Sequence, residues 1–298
     1  MLSEHQGLHP SGQERTNGAN HGRAPRDPAS VGGFDWRTSR RADRRLATYA
    51  SGVIPRVAPG PVALVGSGEY LEAMTELEGR LLDGRPPRYV QIPTAAAPEG
   101  EQVLARWLQL GADQADRLDV EQVAIVARDR RDADDDELAE QVAGAGLIYL
   151  SGGNPGFLAA TLRDTALWHA IVAAWHAGAA LAGCSAGAMA ITSWAPSSRN
   201  WAMGGEPGLD LFPQWRVIPH FDRFGAWMPS PILRRVSRVP DGVRTVGIDE
   251  ETALVTGLDD DAWRAHGRRK VWLVDERGKR TPHAAGEPVA EPQVAESD

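Results

Sequence analysis

Short apolar runs at residues 62–65, 89–92, 123–126, 147–150 and 179–182 alternate with helix-patterned stretches at 70–82, 101–110, 134–143 and 155–176. That alternation leaves few folds open. A run of four or five apolar residues without polar alternation is a strand covered on both faces, and a helix between successive strands returns the chain to a parallel neighbour by a right-handed crossover. The chain is therefore expected to be an α/β protein, a three-layer α/β/α sandwich around a mostly parallel sheet. The 155–176 pattern should break near Asp164. After Trp194 the sequence turns strand-like at 216–218, 244–248 and 253–256, with a hairpin through 270–279.

In sheets of this kind ligands collect outside the carboxyl ends of the strands. Four motifs follow strands directly and should meet on one rim: Gly66-Ser67-Gly68-Glu69, Pro93-Thr94-Ala95-Ala96, Ser151-Gly152-Gly153-Asn154 and Gly183-Cys184-Ser185-Ala186-Gly187. The last is Gly-x-Ser-x-Gly between an apolar strand and a helix-forming stretch. Such a turn lifts the serine side chain above the sheet, and glycines on either side let neighbouring backbone pass close by. Ser185 is the candidate nucleophile.

A serine hydroxyl needs a base within hydrogen-bond reach, usually a histidine oriented by a carboxylate. His220 follows an apolar strand in Val217-Ile218-Pro219-His220-Phe221-Asp222 and is preferred to His266, read as part of a hairpin turn, and to His283, in a polar tail. For the carboxylate, Asp249-Glu250-Glu251 directly follows a strand. Pleating sends neighbours to opposite sides, so one of them faces the site. Glu250 is the first choice, Asp249 the second and Asp222 a local third. The oxyanion of an acyl-transfer intermediate would be held by the Ala186 amide and by Gly153 in the turn after residues 147–150. Gly68 and Glu69 are expected to line the cleft, with Glu69 facing a substrate amine. Gly66-Ser67-Gly68 lacks the Gly-Lys-Ser/Thr ending of a phosphate loop, so no nucleotide is expected. With no His-x-x-x-His and no paired cysteines, neither a metal nor another cofactor is expected.

Charge narrows the partners. The net charge of −8 and isoelectric point near 5.5 argue against a nucleic-acid backbone. One cysteine, Cys184, excludes an intrachain disulfide framework and fits a reducing compartment. The opening residues carry no basic start and apolar run of an export signal, and residues 170–192 are broken by His176 and several glycines, so a cytoplasmic protein without a membrane span is expected. Residues 1–57 are expected to be a disordered arm with a basic tract at 37–45, residues 58–280 the folded domain, and residues 281–298 a flexible tail.

From about residue 60 to 257 the chain resembles peptidase family S51, which comprises aspartyl dipeptidases and cyanophycinases and whose fold is similar to the class I glutamine amidotransferases. The resemblance rests on Gly183-Cys184-Ser185-Ala186-Gly187-Ala188, on Ser151-Gly152-Gly153-Asn154, on Pro219-His220-Phe221 and on Gly247-Ile248-Asp249-Glu250-Glu251-Thr252-Ala253-Leu254, in that family's order of nucleophile, base and acid. It implies Ser185, His220 and Glu250 in those roles. It also implies hydrolysis of short peptides in the cytoplasm at aspartyl or β-aspartyl bonds, without cofactors and often as a homodimer. By position, Asn154 and Arg223 would touch the substrate. Two departures stand out. Cyanophycinases usually carry Asp-Gln where this chain has Asn154-Pro155, and the basic run that often follows the histidine is reduced to Arg223. Trp194, Trp201, Trp215 and Trp227 lie between nucleophile and base, as cleft walls or as core. The alternatives are an α/β-hydrolase esterase using Ser185, Asp249 and His266, and a non-catalytic relative that binds a peptide or metabolite in the same cleft.

Overall fold

The computed structural model describes residues 58–197, 206–225 and 228–292. The arm expected over residues 1–57 lies outside the described residues. The first half of the domain runs β1 (Val62–Val65), α1 (Glu72–Leu82), β2 (Arg88–Ile92), α2 (Glu101–Leu118), β3 (Glu121–Ala124), α3 (Arg130–Ala133), α4 (Asp136–Glu140) and β4 (Leu147–Leu150). It continues through α5 (Pro155–Leu162), α6 (Ala166–His176), β5 (Ala180–Cys184) and α7 (Ala186–Ala190) to the small pair β6 (Trp194–Ala195) and β7 (Glu206–Pro207). The last part is β8 (Trp215–Ile218), α8 (Ser230–Val236), β9 (Arg244–Ile248), β10 (Thr252–Thr256), β11 (Arg264–Gly267), β12 (Val271–Val274) and β13 (Arg280–His283).

Seven strands form the main sheet in the order β11-β10-β1-β5-β4-β2-β3. β1, β5, β4, β2 and β3 are parallel, while β10 and β11 extend the edge beyond β1 in antiparallel sense. Alternate residues of each strand serve opposite cores. Val62 and Leu64 of β1 and Ile148 and Leu150 of β4 pack with Leu158, Leu162 and Ile171 of α5 and α6. Their neighbours Ala63, Val65, Leu147 and Tyr149 pack with Met74, Leu77 and Leu81 of α1 and Ala115 of α2. Helices thus cover both faces, which is why the strands read as unbroken apolar runs.

Boundaries depart from the pattern where it is weakest. β3 begins at Glu121 rather than 123, because it is an edge strand with half-exposed or exposed side chains and little apolar signal. α2 runs past Gly111 to Leu118, since Gly111 is a contact and not a stop: a Cβ there would lie 2.3 Å from the Gln91 side-chain amide. The break near Asp164 is present, with φ 55° at that residue and the Thr165 hydroxyl accepting the Trp168 N–H at the start of α6.

A second sheet, β13-β12-β9-β8, pairs β8 with β9 in parallel and the other neighbours antiparallel. Its Trp215, Val217, Val246, Ile248 and Val271 join the core that holds α5 and α6. Of the four tryptophans noted above, Trp194 and Trp215 are buried in this core, and Trp201 and Trp227 lie outside the described residues. The chain expected to loosen at Thr281 instead remains paired: Thr281, Pro282 and His283 lie opposite Leu273, Trp272 and Val271. Further on, Val289 is buried with its N–H on the Trp263 carbonyl. These partners lie at least eight residues away, so local composition carries no sign of them.

Two features of the frame make measurable claims. Gly247 of β9 lies beneath the Phe221 ring, and a Cβ there would fall 2.4 Å from it. Phe221 is buried and anchors the loop that leaves β8. Gly247→Ala is therefore expected to cost about 1–3 kcal/mol by overpacking, read as a lower urea midpoint; an unchanged midpoint would contradict the contact.

Glu78 of α1 is 1% exposed, with Oε2 accepting from Gln114 Nε2 at 2.9 Å and Oε1 unpartnered among the described residues. Burial pushes its carboxyl up from 4.5 to about 7, against the opposing pull of the Gln114 hydrogen bond. The unfolded chain sheds this proton near pH 4.5 and the folded chain holds it to about 7. Stability should fall as pH rises through that window, by on the order of 3 kcal/mol in total, and stay level above it. Glu78→Gln removes the loss, so the variant should resist urea better than the parent at pH 8 and match it near pH 4.5. Equal urea resistance at pH 8 would refute this.

Candidate active site

The four strand-end motifs do meet. The Ser185 N–H bonds the Val65 carbonyl, the Ser151 N–H the Ile92 carbonyl, and the Asn154 N–H the Ala95 carbonyl, which stitches the ends of β1, β2, β4 and β5 together. Ser185 connects β5 directly to α7 with φ 49° and ψ −103°, a conformation that L-residues rarely hold. Two missing side chains permit the turn. A Cβ on Gly183 would lie 2.6 Å from the Gly187 carbonyl carbon, and one on Gly187 would lie 2.2 Å from the Leu150 oxygen. Glycine at both positions lets α7 start directly over β4 and β5.

The second sheet supplies the partners. β8 and β9 are parallel neighbours, so the loops at their carboxyl ends emerge side by side, one carrying His220 and the other Asp249, Glu250 and Glu251. The His220 N–H bonds the Gly66 carbonyl and the Glu251 N–H the Ser67 carbonyl, tying both loops to the end of β1. Ser185 Oγ lies 3.0 Å from His220 Nε2. On the other side of the ring, His220 Nδ1 lies 3.2 Å from Glu250 Oε1. His220 itself has φ 47°, a second strained residue at the same point. Its side chain is 27% exposed and that of Glu250 23%, so the pair is shielded but reachable.

The other acids turn elsewhere. Asp249 Oδ1 accepts from Trp272 Nε1 at 2.9 Å and Oδ2 from the Lys270 N–H at 3.2 Å, and burial pushes its carboxyl up. Asp222 accepts the Glu250 N–H at 3.0 Å and an Arg269 guanidinium N–H, so it clamps the acid's backbone while leaving the imidazole alone. Arg223 donates through Nε to Glu250 Oε2 at 3.2 Å. His266 lies in β11, not in a turn, and its ring faces Arg80 and Asp259. The serine, acid and histidine of the esterase order are thus not brought together.

Glu69 and its neighbours shape the turn after β4. Glu69 Oε1 accepts the Gly152 N–H at 3.0 Å and Oε2 accepts the Cys184 thiol at 2.8 Å. Each oxygen thus carries one bond to the protein, through which Glu69 ties the turn after β4 to the end of β5. Tyr70 and Ser151 hydroxyls sit 2.5 Å apart beneath this turn, and Gln91 Nε2 donates to Tyr70 at 3.0 Å. Among the described residues no acceptor takes the Gly153 or Ala186 N–H. Asn154 Oδ1 accepts the Phe157 N–H and so caps α5, ahead of Pro155 at its first turn. Gly68 turns at φ 95° beside Glu251. Cys184, one residue before the serine, faces the α1 side of the sheet, where burial pushes its thiol up.

Sequence reasoning missed the Asp222 clamp, the Glu69–Cys184 contact and the Tyr70–Ser151–Gln91 chain. Only the first had a local signal, an acid two residues after the histidine. Beside the serine lies a cavity of about 350 Å³, walled mainly by apolar side chains. Among the described residues no helix is long and apolar enough to cross a membrane.

The model of peptidase family S51 matches residues 62–262. Cyanophycinases of Synechococcus elongatus and Thermosynechococcus vestitus are each 29% identical over 176 residues, covering 56% of this chain and 53% of theirs. The chain thus spans about half the length of the curated relatives it matches. The crystal structure of a peptidase from an acI-B1 actinobacterium is 40% identical, with a TM-score of 0.71 over 78% of this chain and 97% of that one. The family match covers about two thirds of the sequence and contains Ser185, His220 and Glu250, and the chain belongs to peptidase family S51.

Proposed function

We propose that the protein is a serine peptidase that hydrolyses short peptides through an acyl-enzyme, with Ser185 as nucleophile, His220 as general base and Glu250 as the orienting acid. One observation carries this reading: a continuous chain from Ser185 Oγ through both ring nitrogens of His220 to Glu250 Oε1, at 3.0 and 3.2 Å. As Oγ attacks the scissile carbonyl carbon, His220 Nε2 takes its proton, and Glu250 stabilises the imidazolium that forms. The same proton passes to the departing amine nitrogen as the C–N bond breaks. Water then enters, gives its proton to Nε2 and its oxygen to the acyl carbon, and Ser185 is released with its hydrogen restored.

Gly153 and Ala186 supply the two amides for the oxyanion. Gly152 is held by Glu69, which fixes the peptide plane beside Gly153 and makes Glu69 a positioning residue. Asp222 acts in the same way on the backbone of Glu250. An aspartyl preference rests on the family resemblance; of the residues that would serve it, Asn154 uses its Oδ1 on the first turn of α5 and Arg223 its Nε on Glu250.

A fluorophosphonate probe should label the protein once, at Ser185, and Ser185→Ala should abolish labelling. His220→Ala is expected to slow labelling and peptide cleavage by on the order of 10²–10⁴-fold, and Glu250→Gln by about 10²-fold or more through loss of the imidazolium partner. Unlabelled parent protein, or near-full activity in His220→Ala, would sink the assignment and leave a binding protein in its place.

A further inference from the structure

We infer that the cavity beside Ser185 receives an apolar side chain from the acyl residue of the substrate. This rests on the serine-peptidase reading and deepens it by naming the substrate class. The cavity of about 350 Å³ is bounded by Pro155, Ala186, Met189, Pro196, Pro219 and Phe224, with Gly153, Ser185 and His220 as its remaining described walls. That volume accommodates one or two residues of a peptide. Neither a lysine nor an arginine stands among the described lining residues. The nearest guanidinium by sequence, Arg223, turns to Glu250.

Position fixes which part of the peptide enters. A carbonyl carbon attacked by Ser185 Oγ, with its oxygen on the Gly153 and Ala186 amides, places the acyl residue at the cavity that Ser185 lines together with Ala186, Met189 and Pro155. A carboxylate inserted there would lose its water with no lysine or arginine among the described lining residues to receive it, and Glu250 adds like charge behind His220. An aliphatic or aromatic side chain would instead cover apolar wall. Phe224 marks the entrance. It is 57% exposed, one of few large apolar side chains left open among the described residues, and its ring meets the His220 ring edge-on at a centroid distance of 5.7 Å. Exposed aromatic surface beside a nucleophile is surface that a bound side chain would remove from water.

The test is a panel of free and N-acetylated X-Ala dipeptides with X as Leu, Met, Phe, Lys, Asp or isoaspartyl, run beside fluorophosphonate labelling of the same preparation. Leu, Met or Phe should exceed Asp and isoaspartyl in kcat/KM by at least about tenfold, the scale that apolar pocket contacts produce. Phe224→Arg, which places a cation at the exposed mouth, should shift the Leu-to-Asp ratio toward Asp by about tenfold while Ser185 is still labelled. Preference for Asp or isoaspartyl, or no cleavage of any member by protein whose Ser185 is labelled, would overturn the pocket assignment and leave the nucleophile standing. Absence of labelling would overturn the peptidase reading and this inference with it.

Discussion

A serine at φ 49° survives only if everything around it leaves no better choice. Here the strand before it is fixed by parallel pairing to β1 and β4, the helix after it starts at once, and two glycines remove the Cβ atoms that would push the two apart. Any relaxation of the serine backbone would move α7 off β4, where Gly187 already lies against the Leu150 carbonyl. The strain is thereby held by the packing of the whole central sheet. The same sheet brings the ends of β1, β2 and β4 to the rim, so the turn that carries Gly153 and the turn that carries Ser185 cannot drift independently.

The second sheet solves a separate problem. A base and its acid, the roles proposed for His220 and Glu250, must face each other, and neighbouring parallel strands deliver two loops from the same edge. β8 and β9 provide that pair, and Asp222 and Arg269 lock the loops together beneath the imidazole. Phe221 on Gly247 ties the loop that carries His220 to the strand that leads to Glu250. His220 at φ 47° has no freedom to swing out without breaking its N–H bond to Gly66. Thus the two sheets share a core and backbone bonds, and across their meeting point Ser185 Oγ and His220 Nε2 lie 3.0 Å apart.

Much of this could be read from residue order, and the reasons are specific. β1, β2, β4 and β5 announce themselves because burial on both faces makes them almost wholly apolar, Gln91 of β2 being a buried exception. Ser185 is legible because only glycine fits on either side of it. The break at Asp164 shows because a polar residue interrupts two apolar helices. What stayed hidden depends on partners distant in sequence. β3 and β11 lie at the edges of the sheet and carry weak patterns, so His266 read as a turn residue. Glu69 sits in a glycine-rich turn suited to a substrate contact, and only the fold shows that Gly152 and Cys184 occupy it. Asn154 matches a family position, yet its side chain closes the first turn of α5.

The arrangement that everything else serves can be seen in one experiment, a crystal structure of the protein reacted with a peptide boronate. The account predicts boron bonded to Ser185 Oγ, His220 Nε2 within hydrogen-bond distance of one boronate oxygen, and another boronate oxygen between the Gly153 and Ala186 amides. Boron bonded at any other residue, or a serine adduct whose oxygen points away from both amides, would contradict it.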